Sequence, residues 1–281
     1  MKKFHEKPNR YVNEVSIRVT DLERSLSYYQ EVIGFNVLYK TNREAALTAD
    51  GKTALLYLHQ PENAMPKEKR TAGLYHFALL LPSRSHLANF LTHLIDTGVR
   101  IGASDHKVSE ALYLEDPDGN GIEVYRDRSA SDWQWQAGHV MMTTDPLDGE
   151  GLLKESDAEW DGLPEQTIMG HIHLHVSNLE KTEHFYENVL GFQTVTRYPG
   201  ALFMSTGGYH HHFGLNIWNG EGAPAPKENS AGLNWFNLVL PDEETRDNIV
   251  ANLKEIGAAV EENSDYVEIE DPSGNNIRLV L

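Results

Sequence analysis

Two polar residues stand inside strand-like apolar segments in the first half of the chain. His76 lies in GLYHFALL and Glu123 lies in GIEVY, and neither side chain is a usual choice for a sealed apolar core. The chain contains no cysteine, which excludes disulfides, thiolate catalysis and zinc-thiolate sites. Any metal ion would therefore have to be bound by His, Asp, Glu, Tyr or backbone oxygen atoms.

A second group of histidines lies in the other half. His171, His173 and His175 alternate along one predicted strand, and alternation places them on one face, which can form a cavity wall. Residues 209–212 read YHHH in a separate segment. This group is compatible with a polar packing layer, a substrate pocket, or a metal site that uses His171 and His212.

Composition narrows the functional classes. The chain has 42 acidic against 24 basic residues and a net charge of -18, which repels nucleic acid and anionic lipid surfaces. No stretch approaches the roughly 18 apolar residues needed to span a bilayer, and MKKFHEKPNRY lacks the apolar core of a signal peptide. The sequence therefore predicts a cytoplasmic protein with no nucleic-acid or membrane partner. Strands at the domain edges would allow the chain to form a homo-oligomer.

The chain repeats itself, and this determines its predicted architecture. Three segments of the first half match three segments of the second half in the same order, at nearly constant offset. The matching pairs are 12–35 with 169–192, 73–82 with 232–241, and 116–125 with 271–280. One kind of domain is therefore used twice.

Each copy contains two βαβββ units. Residues 12–20 alternate like a strand, Asp21 can cap the helix SLSYYQEVI, and three strand-like runs follow before the pattern starts again at residue 73. This predicts an α+β fold of four βαβββ units paired into two tandem domains, 10–128 and 167–281. The segment 129–166 has no clear period and is predicted to be a linker that packs through three tryptophans, Trp133, Trp135 and Trp160.

The paired units, the helix LERSLSYYQEVIGF and the hairpin DPDGNGIEVY resemble the vicinal oxygen chelate superfamily of glyoxalases, bleomycin-resistance proteins and extradiol dioxygenases. The four-unit arrangement most resembles bacterial catechol 2,3-dioxygenase-type proteins. The resemblance covers the chain apart from the linker. The shared motifs are specific for the glyoxalase-like fold, whereas that fold serves several different reactions.

The resemblance implies a ligand set on the first strand of each unit and the last strand of the second. In the N-terminal copy these positions are Glu14, His76 and Glu123. The C-terminal copy has His171, Trp235 and Arg278 there. Tryptophan and arginine do not ligate a cation, so the metal site is expected in the first half.

The extradiol comparison also implies three residues around the metal. His59 would act as general acid-base, while His106 and Tyr113 would orient the substrate by hydrogen bonds. Fe(II) would be the cofactor, a small aromatic diol and dioxygen would be the substrates, and the ring would be cleaved beside the diol. Surface or structural roles remain open for all three residues.

Two differences from the familiar extradiol enzymes leave alternatives open. Glu14 makes the set two carboxylates and one histidine, which suits manganese, magnesium or zinc as readily as iron. The familiar enzymes also carry their site in the C-terminal domain. A glyoxalase-type metal-dependent isomerase or lyase and a metal-free, drug-binding protein of the same fold are the alternative functions.

Overall fold

Four units, each with one strand, one helix and further strands, make up the computed structural model, which describes residues 3–281. The first unit contains β1 (Tyr11–Arg18), α1 (Leu22–Tyr28), β2 (Asn36–Lys40), β3 (Glu44–Thr48) and β4 (Ala54–His59). The second unit contains β5 (Gly73–Leu80), α2 (Arg84–Asp96), β6 (Gly102–Asp105), β7 (Ser109–Glu115) and β8 (Gly121–Asp127).

The second half repeats this order after a linker that contains β9 (Trp135–Gln136), β10 (His139–Val140) and α3 (Gly149–Leu153). The third unit contains β11 (Ile168–His175), α4 (Leu179–His184), β12 (Gln193–Tyr198), β13 (Ala201–Ser205) and β14 (Phe213–Asn216). The fourth unit contains β15 (Gly232–Val239), α5 (Glu243–Glu255), β16 (Val260–Glu262), β17 (Val267–Glu270) and β18 (Asn276–Val280). The predicted α+β fold of tandem βαβββ repeats is confirmed.

Each unit shares a sheet with a unit from the other half of the chain. The first sheet joins units one and four in the order β16-β17-β18-β15-β1-β4-β3-β2. The second sheet joins units three and two in the order β12-β13-β14-β11-β5-β8-β7-β6. At the centre of each sheet the two first strands pair antiparallel, β1 with β15 and β11 with β5. Each concave face is therefore built from both halves, which the repeat pattern alone did not indicate.

Local signals in the sequence explain the repeated shape. The Asp21 side chain accepts a hydrogen bond from the backbone N–H of Arg24, and Ser83, Asn178 and Asp242 cap the other unit helices in the same way. In the DPDGN turn, Asp116 accepts hydrogen bonds from the backbone of Asp118 and Asn120.

The two sheets share one core because successive side chains of each central strand point to opposite faces of its sheet. Val15, Phe77, Ile172 and Phe236 come from the first strands of the four units, and all belong to one cluster of buried apolar side chains. Their sequence neighbours point to the opposite, concave faces of the sheets. The polar residues of the first strands are thus directed away from the shared core.

The linker packs against both halves of the chain. Trp133 is buried beside Phe4 and Tyr209, and Trp160 packs on Phe90, whereas Trp135 is largely exposed. Within residues 3–281, no helix has the length and apolar character needed to cross a membrane.

Candidate metal centre and cavity

Two imidazoles and one carboxylate converge on the concave face of the second sheet. His76 Nε2 lies 3.0 Å and His171 Nε2 lies 3.1 Å from the same Glu123 oxygen, Oε2. One potential ligand atom from each of the three residues lies within 4.8 Å of the others, and all three side chains are buried. This group is the candidate metal centre.

Strand register accounts for the convergence. His171 on β11 is opposite Ala78 on β5, and Ala78 is in turn opposite Glu123 on β8. His76 precedes Ala78 by two residues and so faces the same side of the sheet. The three ligands therefore come from three adjacent strands, two in the second unit and one in the third.

The electrostatics of the group suit a divalent cation. Burial alone would raise the pKa of Glu123, but the adjacent His171 and His76 outweigh it and hold that pKa well below its usual range. Burial lowers the pKa of His171, which keeps its imidazole neutral. His76 Nε2 is buried and makes no hydrogen bond despite its proximity to Glu123. An ionised Glu123 carboxylate and a neutral His171 imidazole are in the protonation states that metal ligands require.

A cavity of about 300 Å³ opens beside these ligands. Its walls include four aromatic side chains, Tyr75, Tyr198, Phe203 and Trp218. Tyr75 and Trp218 are 40% and 51% exposed, so they lie at the solvent side of the cavity. The site thus combines polar side chains that could bind a metal ion with flat apolar walls.

Two of the residues predicted to orient the substrate lie in this cavity. His106 Nε2 and the Tyr113 hydroxyl are 2.6 Å apart, and both residues line the cavity with His76 and Glu123. Burial, followed by the charge of Glu123, raises the pKa of Tyr113 well above its usual value, so the hydroxyl keeps its proton. The structure therefore brings His76, Glu123, His106 and Tyr113 together.

Glu14 and His59 lie in the first sheet, away from this group. Glu14 is on β1 in the first sheet, where Asn237 Nδ2 donates a hydrogen bond to its carboxylate at 2.9 Å. His59 ends β4 in the same sheet and pairs with Glu44 near the surface. The reason is topological: the first unit pairs with the fourth unit, not with the second.

His171 occupies the ligand position predicted for Glu14. The two residues correspond in the repeat, but β11 rather than β1 pairs with the strand that carries His76. The histidine alternation in the second half was the available signal, although the sequence interpretation treated that group as a separate site. It contributes instead to one centre shared by both halves.

His211 is a further cavity residue, and a chain of hydrogen bonds leads away from it. Its Nδ1 lies 2.7 Å from His210 Nδ1, and His210 Nε2 lies 2.8 Å from Asp127 Oδ1. The His211 ring also packs on His171, with ring centroids 4.1 Å apart. Because Nδ1 is occupied by His210, Nε2 is the His211 nitrogen left for the cavity.

Comparison with known proteins agrees with this fold and site. Residues 11–124 and 168–279 match the family model of the glyoxalase/bleomycin resistance protein/dioxygenase superfamily. Catechol-2,3-dioxygenase of Bacillus subtilis (strain 168) is 48% identical, with 100% of both chains covered. Biphenyl-2,3-diol 1,2-dioxygenase 3 of Rhodococcus globerulus is 29% identical over 41% of this chain and 62% of its own.

Solved structures support the fold alone, because their sequence identities are low. The crystal structure of glyoxalase I from Zea mays covers 96% of this chain and 92% of its own, with a TM-score of 0.57 and 18% identity. A Bacillus subtilis protein covers 100% and 86%, with a TM-score of 0.67 and 12% identity. The matched family model and the full-length relative show that the chain belongs to the glyoxalase/bleomycin resistance protein/dioxygenase superfamily.

Proposed function

We propose that the protein is a metal-dependent extradiol dioxygenase that cleaves a catechol-type ring. The observation that carries this proposal is the convergence of His76, His171 and Glu123 on one face of an aromatic-walled cavity. The full-length identity of 48% to a catechol-2,3-dioxygenase supports the same substrate class.

The donor set favours Fe(II). Two histidines and one carboxylate on one side of a metal are typical of non-haem Fe(II) oxygenases, because that arrangement leaves other coordination positions open. The candidate ligand set contains His171 in the position expected for Glu14, so it has one carboxylate instead of two. The second carboxylate was the reason why manganese, magnesium or zinc suited the predicted set as well as iron. When bound, the iron would supply the Lewis-acid and redox chemistry that couples the diol to dioxygen.

The remaining cavity residues divide the work of binding and proton handling. Tyr113 and His106 form a hydrogen-bonded pair beside Glu123, where they can orient an oxygen atom of the substrate. His211 Nε2 is in position to exchange a proton with the diol, the role assigned from sequence to His59. Tyr75, Phe203 and Trp218 offer flat apolar surfaces for the ring.

The same geometry weakens the alternatives drawn from the sequence. The isomerase interpretation depended on two carboxylates at the metal, and Glu14 lies in the other sheet. A metal-free drug-binding protein would gain nothing from burying an ionised Glu123 between two histidines, since burial of a carboxylate is unfavourable.

The experiment is iron loading followed by assay of a catechol panel. We expect protein loaded anaerobically with Fe(II) to bind about one ion per chain and, on addition of air, to consume oxygen and form a yellow semialdehyde from at least one catechol. His76→Ala should lose both bound iron and activity, while His139→Ala, at an exposed position in β10, should retain both. A loaded wild-type protein that leaves every catechol intact would refute the proposal.

A further inference from the structure

The middle of the linker forms part of the cavity. Met142, Thr143 and Thr144 line it, although residues 125–167 lie outside both segments that match the family model. We infer that residues 140–145 form a strap that closes the second sheet over the cavity, orients His106, and determines through Met142 which ring substituents the site accepts. The part concerning substituents rests on the proposed function.

The strap is attached to one edge of the second sheet through β6. The backbones of Asp105 and Asp145 exchange two hydrogen bonds, each 2.9 Å long. Next to them, His106 Nδ1 donates to the carbonyl oxygen of Thr143 at 2.6 Å. With a longer backbone bond of 3.4 Å from the Thr143 N–H to the His106 carbonyl, three backbone bonds and one side-chain bond fix this end of the strap in register with the second unit.

The strap is attached to the opposite edge of the same sheet through β12. The Thr196 hydroxyl donates to the carbonyl of Val140 at 2.7 Å, and the Tyr198 hydroxyl donates to the carbonyl of Met142 at 2.8 Å. Because β6 and β12 are the two end strands of the second sheet, residues 140–145 connect its edges across the concave face. The linker therefore completes the wall of the cavity that the units leave open.

One attachment also fixes the proton on His106. A carbonyl oxygen can only accept, so Nδ1 of His106 must carry the hydrogen that it donates to Thr143. In the neutral ring, Nε2 is then an acceptor, and the Tyr113 hydroxyl donates to it. The lone pairs of the Tyr113 oxygen remain available to accept a hydrogen bond from a substrate hydroxyl. Thr143 is thus a positioning residue that acts through its backbone.

Met142 is placed to determine the size of the accepted substrate. Its side chain packs against the buried cluster that contains Trp133 and Tyr209 and also lines the cavity. A thioether chain is flexible and fills irregular space, so its removal would enlarge the cavity on that side. Met141, the adjacent residue, is exposed and does not line this cavity, which makes it a matched control.

The specificity test compares Met142→Ala with Met141→Ala on catechol and biphenyl-2,3-diol. In Met142→Ala we expect the ratio of kcat/KM for biphenyl-2,3-diol to kcat/KM for catechol to rise about tenfold. The reason is that removal of the methionine side chain leaves space for the second ring. In Met141→Ala the ratio should stay within about twofold of wild type. An unchanged ratio in Met142→Ala overturns the role of Met142.

A second measurement tests the strap without turnover. Side-chain ¹⁵N NMR of wild type should show His106 protonated at Nδ1 and not at Nε2. The double variant Thr196→Val/Tyr198→Phe should speed amide exchange at Asp145 about tenfold, while Thr97→Val, at the end of α2, should not. The opposite tautomer or unchanged exchange overturns the strap. If both results are as expected but wild type cleaves no catechol, the proposed function and the role of Met142 fail while the strap stands.

Discussion

The centres of the two sheets occupy corresponding positions in the repeat but carry opposite chemistry. In the second sheet, the central positions hold the candidate ligand set His76, Glu123 and His171. In the first sheet the corresponding positions hold Trp235, Arg278 and Glu14. The backbone framework is the same in both, so the side chains alone decide which sheet can hold a metal ion.

At the centre of the first sheet, the guanidinium group of Arg278 provides a positive charge. The Arg278 guanidinium stacks on the Trp235 ring at 4.0 Å and on the Tyr266 ring at 4.3 Å, and its Nε donates to Glu268 at 2.8 Å. Burial raises the pKa of Glu14, while hydrogen bonding with Tyr57 and the charge of Arg278 oppose that shift. A permanent side-chain charge stands where the other sheet has ligands, which makes the first sheet a structural counterpart of the site.

Alanine substitutions at corresponding positions should show most clearly that only the second-sheet centre binds metal. We expect His171→Ala to weaken metal binding by more than about 100-fold, because it removes a direct ligand. Glu14→Ala, at the corresponding position, should leave metal content and kcat/KM within about twofold of wild type. Elemental analysis and steady-state kinetics measure both effects. Equal metal loss in the two variants would mean that the centres are not distinct.

Removal of Arg278 tests whether the first centre is structural. Arg278→Ala should lower the free energy of unfolding by about 2 kcal/mol, since it removes two ring contacts and the partner of Glu268. Metal content should not change. Lys254→Ala, in the surface pair with Glu262, should cost less than about 0.5 kcal/mol. Urea unfolding of the three proteins gives these values, and similar losses in both variants would argue against a special role for Arg278.

Acid sensitivity should come mainly from the region around the second sheet, where His5 of the N-terminal segment contacts the backbone of Gly170 on β11. Burial lowers the pKa of His5 to about 4, while the backbone of Gly170 and the charge of Asp127 oppose the shift and His210 and His171 add to it. The unfolded chain, with a pKa near 6.5, binds this proton first, so stability is full above about pH 6.5 and falls as the pH drops toward 4.

The variant His5→Gln isolates this contribution. Between pH 7 and 5.5, wild type should lose about 1 kcal/mol more of its unfolding free energy than the variant does. Denaturant titrations of metal-free protein at both pH values provide the measurement. His59→Gln in the first sheet is the control, because that histidine is partly exposed. An identical pH dependence of wild type and His5→Gln would contradict the prediction.

The repeat made the units predictable, because the apolar alternation, the helix caps and the Asp116 turn are all local signals. The pairing of the units was not predictable in that way. Each first strand has a polar concave face and an apolar core face, so the local pattern permits pairing of β1 with either β5 or β15. Long-range packing selects β15.

This pairing of the units explains which predicted site residues lie together and which do not. His76, Glu123, His106 and Tyr113 all lie within the second unit, so their proximity did not depend on which unit is its partner. Glu14 belongs to the first unit, which is part of the other sheet. The contribution of the linker was also hidden, because its bonds to His106 and Tyr198 are made largely by backbone carbonyls, which no residue type reveals.

The candidate ligands are divided between the two halves of the chain, with His76 and Glu123 before the linker and His171 after it. An ion held by all three would join the two halves, since His171 lies 95 residues after His76 and 48 residues after Glu123. By mass action, its affinity for the assembled halves adds directly to the work needed to pull them apart. In this molecule, loading the metal would reinforce the contact that β5 and β11 already make between the two halves.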